Sequence, residues 1–132
     1  NNIPLNGLES DTIRVLIVDD DKEVLDLFVD ALESDGRFEV ATAQSGYDAG
    51  LRTHQFRPNI VVLDYMLPDI NGNVVCRAIR EDESLQNIKI LLISGVVEPA
   101  QVEMLKAAGA DEFIRKPFNI DSVITRMLEL VQ

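Results

Sequence analysis

Five short runs dominated by Val, Ile and Leu recur along the chain: RVLIV (14–18), FEVAT (38–42), NIVVLD (59–64), IKILLIS (88–94) and DEFIRK (111–116). They are too apolar for a sheet wetted on one face and read as buried parallel strands. Between and after them lie stretches of helical spacing, with apolar residues at Val24, Leu25, Phe28, Val29 and Leu32, then Ala49, Leu51 and Phe56. The pattern continues at Val74, Val75, Ala78 and Ile79, at Val102, Met104, Leu105 and Ala108, and from Ile120 through Val123, Ile124, Met127 and Leu128 to Val131. A β-α unit repeated five times with short connections requires right-handed crossovers and helices on both faces of one sheet. The expected fold class is α/β, a three-layer α/β/α sandwich. In such an open sheet, function collects in the crevice beyond the carboxyl ends of the strands, where the strand order reverses.

With 132 residues, 46% of them hydrophobic, the chain suffices for one domain with a buried core. Residues 1–13 (NNIPLNGLESDTI) show no period and read as a linker or disordered N-terminal extension, which leaves 14–132 as the domain. Twelve Lys and Arg against 23 Asp and Glu give a net charge of −11, which opposes direct nucleic-acid binding by this segment. A single cysteine cannot form an internal disulfide, and no apolar stretch approaches the roughly 20 residues of a bilayer span. These features suggest a cytoplasmic protein without a membrane association. The start at Asn1, without a charged-then-apolar leader, reads as a piece of a longer protein rather than a secretory precursor.

The strand ends carry the chemistry. The first strand runs into Asp19, Asp20 and Asp21, the third ends in Asp64, the fourth in Ser94 and the fifth in Lys116. Several ionised aspartates at one sheet edge repel and need a counter-cation. Mg²⁺ is the natural candidate, because it takes one or two carboxylates and leaves positions for water or phosphate oxygens. Each residue also has a plainer reading. Asp20 with Glu23 before an apolar run is a capping-box pattern, Asp64 suits a turn ahead of MLPDING, Ser94 suits a helix cap, and Lys116 a strand-end surface lysine. Convergence at one edge favours the functional reading over these.

The fragments IVDDD, VVLDYMLPDINGNVV, ILLISG and AAGADEFIRKPF, in this order and spacing, resemble the receiver domain of two-component response regulators from about Arg14 onward. The resemblance implies a flavodoxin-like (CheY-like) fold with strand order 2-1-3-4-5. It also implies roles: Asp64 as phosphoacceptor, Asp19 and Asp20 as the acidic pair holding Mg²⁺, with Mn²⁺ as a substitute, and Met66 as the backbone carbonyl completing the metal site. Ser94 matches the switch hydroxyl, Phe113 the switch aromatic and Lys116 the site lysine, with a cis Lys116-Pro117 peptide expected. The implied partner is a sensor histidine kinase or phosphotransfer protein. The implied output is a switch of the face formed by helix four, strand five and helix five, which controls an output domain or partner.

On this reading a weak, phosphorylation-promoted homodimer is expected through that face, which carries Lys106, Glu112 and Arg126. Slow self-dephosphorylation is expected too, because neither Met66 nor Val96 can orient a water, although Gly95 leaves access open. His54 reads as a surface histidine, and Cys76 as small core filling. Three rivals remain. A haloacid-dehalogenase-type phosphatase would need an acid/base aspartate where Met66 stands, and an FMN module would need a first loop less acidic than Asp19–Asp21. A constitutive interaction module would not need the whole residue set.

Overall fold

The computed structural model describes residues 12–95 and 98–132; the proposed linker up to residue 11, and Val96, lie outside them. The elements alternate strictly: β1 (Ile13–Val18), α1 (Lys22–Asp35), β2 (Phe38–Ala43), α2 (Gly46–Phe56), β3 (Ile60–Asp64), α3 (Gly72–Glu81), a 3-10 turn (Glu83–Leu85), β4 (Lys89–Ser94), α4 (Pro99–Ala107), β5 (Glu112–Arg115) and α5 (Ile120–Val131). All neighbouring strands pair in parallel, in the order β2-β1-β3-β4-β5. The three-layer sandwich and the 2-1-3-4-5 order are those expected.

The pleat explains the two layers of core. Leu16, Val18, Val61, Leu63, Ile90 and Leu92 face one way and meet Ala49, Val75, Cys76, Ile79 and Leu105 of α2, α3 and α4. The alternate residues Val15, Ile17, Ile60, Val62, Leu91 and Ile93 face α1 and α5, where Phe28, Leu32, Val123 and Met127 are buried. Because α1, after β1, covers one face and α3, after β3, the other, the connections leaving β1 and β3 diverge. The crevice between their carboxyl ends is the switch point of the sheet.

Burial differs from the sequence expectation at the edges. The interior strands β1, β3 and β4 are almost wholly buried, whereas β2 and β5 are mostly only half-buried. Each edge strand lacks a neighbour on one side, and their polar residues Glu39 and Arg115 lie in solvent. On the helices, Leu51, Val74 and Met104 are exposed although they sit in apolar stretches. Each lies beside the buried stripe instead of on it; in α2 the stripe runs Gly46, Ala49, Thr53.

Helix ends follow local chemistry. Asp21, rather than Asp20, caps α1, its side chain accepting the Glu23 N–H at 3.0 Å. The capping pattern expected at Asp20 is thus displaced by one residue. The helix stops at Gly36, whose φ of 85° is the left-handed conformation that a residue without Cβ adopts freely. Gly72 opens α3 in tight contact with β3: a Cβ there would lie 2.7 Å from the Asp64 carbonyl oxygen and 2.9 Å from the Tyr65 Cα.

Tightly packed and open glycines are separable by mutation. Gly72→Ala must push backbone against backbone and should cost about 1–3 kcal/mol. Gly50→Ala, inside α2 with open space around the new Cβ, should gain about 0.5–1 kcal/mol. Urea unfolding of both variants checks the opposite signs.

Candidate functional site

β1 delivers the first carboxylate. The Asp19 N–H donates to the Ala43 carbonyl at 3.1 Å, so the residue continues the line of the sheet after Val18 and is buried. Its Oδ1 accepts the Asp21 N–H at 2.9 Å. The acidic triplet therefore divides: Asp19 is buried and hydrogen-bonded, Asp21 caps the helix, and Asp20 is exposed with its carboxylate at the crevice.

Asp64 ends β3 in register with Ile93 and is 4% exposed. Lys116 Nζ donates to its Oδ2 at 3.2 Å, and the Met66 N–H makes a long contact of 3.4 Å to its Oδ1. One carboxylate oxygen each from Asp19, Asp20 and Asp64 lie within 4.8 Å of one another. Fifty-two residues separate Asp64 from Lys116 in sequence; the ends of β3 and β5, on either side of β4, bring them together.

Ser94 closes β4, fully buried, beside Arg115 of β5, and its carbonyl accepts the Lys116 N–H at 2.8 Å. The Lys116–Pro117 peptide is cis, and Phe118 beyond it stacks on Phe28 with ring centroids 5.6 Å apart. Phe113 pairs with Leu92 and is half-buried against the core of the α3 and α4 face. Met66 projects into solvent, 60% exposed, so only its backbone is available at the crevice.

The electrostatics are those of crowded carboxylates. Burial, joined by the charges of Asp64 and Asp20, pushes the Asp19 carboxyl up to about 6. Burial also raises Asp64, against the lowering influence of Lys116. Two buried acids sharing one ammonium leave negative charge uncompensated, and the donors are hard oxygens. That set suits a small divalent cation such as Mg²⁺.

Two sequence-singled residues lie elsewhere. His54 sits in the last turn of α2, away from the crevice, with Nε2 2.8 Å from Asp82 Oδ2. Cys76 is fully buried, its Sγ 3.4 Å from the Ala108 carbonyl, and burial pushes its thiol up to about 11. Glu112 and Arg126 pair with each other within the chain. One participant had no sequence signal: Asp69, in the loop after Asp64, accepts the N–H groups of Gly46 and Tyr47 at the start of α2.

Residues 15–128 match the response regulator receiver domain family. The chain is 31% identical over 119 residues to the DNA-binding dual master transcriptional regulator RpaA of Synechocystis, covering 90% of this chain and 49% of that protein. It is 32% identical over 114 residues to the DNA-binding response regulator MtrA of Mycobacterium tuberculosis, covering 86% and 48%. The chain thus spans about half the length of these relatives. A CheY-like response regulator receiver domain protein from Methanospirillum hungatei superposes with a TM-score of 0.84 at 27% identity, covering 91% of this chain and 94% of that one. The BeF3-activated DrrB receiver domain gives 0.79 at 29% identity, covering 91% and 97%.

The raised Asp19 carboxyl makes stability depend on pH. The folded state keeps this proton up to about pH 6, whereas the unfolded chain releases it near 3.8, so folding loses stability as pH rises through that window. With divalent cations chelated, Asp19→Asn should exceed the wild type by about 3 kcal/mol at pH 7 and by almost nothing near pH 3.5. Urea unfolding at the two pH values measures the gap; a gap independent of pH would contradict it.

Proposed function

The chain belongs to the response regulator receiver domain family, and from that membership we propose that Asp64 accepts a phosphoryl group from the phosphohistidine of a sensor histidine kinase or phosphotransfer protein. The observation that carries this reading is the environment of Asp64: a buried carboxylate at a strand end, hydrogen-bonded to Lys116 and grouped with Asp19 and Asp20.

A carboxylate attacks a phosphoryl group poorly because both are negative. Lys116 places an ammonium against the developing charge and holds Asp64 Oδ2 in one orientation. The other Asp64 oxygen attacks phosphorus, the bond from phosphorus to the donor nitrogen breaks, and its electron pair stays on the imidazole. Asp19, Asp20, Asp64 and the Met66 carbonyl would hold Mg²⁺, or Mn²⁺ in its place, which when bound supplies positive charge to the phosphoryl oxygens.

After transfer, the new oxygens lie within reach of the Ser94 hydroxyl and Lys116. An inward move of Ser94 makes room for the Phe113 ring, and the face of α4, β5 and α5 shifts its population toward an active arrangement. That face controls an output domain or partner in the cytoplasm. Since Glu112 and Arg126 already pair within one chain, a homodimer through this face must exchange those contacts between copies. Exposed pairs contribute about 0–1 kcal/mol each, so dimerisation is weak.

Acetyl phosphate and Mg²⁺ should add one phosphoryl group to the wild type and none to Asp64→Asn, as read by intact-protein mass. An adduct of equal yield in that variant would assign the acceptor elsewhere. In calorimetric titration, Asp20→Ala should lose more Mg²⁺ affinity than Asp21→Ala, whose role is the helix cap; equal losses would shift the register of the pair.

The exposed Met66 cannot orient a hydrolytic water. Self-dephosphorylation is accordingly slow, and Met66→Asn should shorten the lifetime of the phosphorylated form. Decay followed by mass spectrometry decides it, with an unchanged or longer lifetime counting against the role of this side chain.

A further inference from the structure

The loop between β3 and α3 is held at its base by its own backbone and at its apex by another element. At the base, the Tyr65 N–H donates to the Ile93 carbonyl at 2.9 Å, the Gly72 N–H to the Tyr65 carbonyl at 2.7 Å, and Met66 bridges Asn71. At the apex, Asp69 Oδ1 accepts the Gly46 N–H at 2.8 Å and Oδ2 the Tyr47 N–H at 2.9 Å. Gly46 and Tyr47 open α2, 23 and 22 residues earlier in the chain. The contact is steric as well as polar, because Ile70 occupies the space that a Cβ on Gly46 would need.

These bonds hold the Asp69 carboxyl below the ordinary carboxylate range, and an ionised group at a helix N-terminus is favoured by the exposed N–H donors and the helix dipole. Met66 leaves the base at its bridge to Asn71 and leads toward this apex. Its side chain is in solvent and its N–H makes only the long contact to Asp64, so neither fixes the direction of its peptide group. Leu67, buried in the core, sets the depth of the loop. Beyond the bridge to Asn71, its tilt is set by the anchor at Asp69.

We propose that Asp69 is a positioning residue: by docking the loop apex on the first two N–H groups of α2, it fixes the Met66 carbonyl relative to Asp19, Asp20 and Asp64 and thereby sets the affinity of the site for its divalent cation. The proposal rests on the reading of the site given above. It makes the start of α2, which contributes no side chain to the crevice, part of the binding apparatus.

Calorimetric Mg²⁺ titration and the initial rate of phosphorylation by acetyl phosphate test it together. Asp69→Ala should weaken Mg²⁺ binding about tenfold, the scale of lost support behind a metal ligand, with the rate at saturating Mg²⁺ unchanged. Gly46→Ala keeps the carboxylate but displaces Ile70, and should weaken binding likewise. Adding Ile70→Ala to Gly46→Ala makes room for the new Cβ and should restore affinity. Asp48→Ala, which removes an equal charge from the same helix end, should leave affinity unaltered. Wild-type affinity in Asp69→Ala, or an equal loss in Asp48→Ala, overturns the proposal while leaving the site itself standing. A wild type without Mg²⁺-dependent phosphorylation overturns the reading of the site and this proposal with it.

Discussion

Two carboxylates, Asp19 and Asp64, are taken out of water at the point where the sheet reverses its strand order, and among the described residues only one ammonium, that of Lys116, is hydrogen-bonded to either. A carboxylate buried without full compensation disfavours folding, so the rest of the molecule must hold it in place. The apolar interior strands do so from below, since Val18, Leu63 and Ile93 pack on both faces of the sheet directly beneath the acids. The backbone holds them from the side, through the Asp19 N–H bond to Ala43 and the tight seating of Gly72 against the Asp64 carbonyl.

The same constraint explains how the surrounding residues are used. Asp20 keeps one carboxylate at the edge of solvent, where its charge can be met by a cation at lower desolvation cost. Ser94 stands on β4, next to β3, at the crevice, and Phe113 on β5, one strand further out, against the core. At the opposite end of the sheet, Arg80 performs a structural task. It donates to the carbonyls of Gly109 and Ile88 and pairs with Asp111, tying α3 to the start of β5.

Much of this was legible in the sequence because strand and helix patterns are local. The five aliphatic runs matched the strands to within a residue, and the polar residues at the ends of four of them pointed to the crevice. Burial at the edges was harder to read, because FEVAT and DEFIRK carry the same apolar pattern as interior strands, and only their place in the sheet decides their exposure. The helix cap moved from Asp20 to Asp21 because adjacent aspartates offer the same side chain, and backbone direction chooses between them. The anchor of Asp69 on α2 had no local signature at all. Its partners are backbone N–H groups on another element, which any residue type but proline could supply.

The central claim is that the crowded carboxylates form a cation site coupled to the stability of the whole domain. Thermal unfolding at pH 7.5 and constant ionic strength, with rising Mg²⁺, tests it most directly. If the cation binds the folded crevice alone, the midpoint must climb with concentration, and the gain reaches about 2.7 kcal/mol at a hundredfold excess over the dissociation constant. A midpoint that does not move with Mg²⁺ would contradict the account.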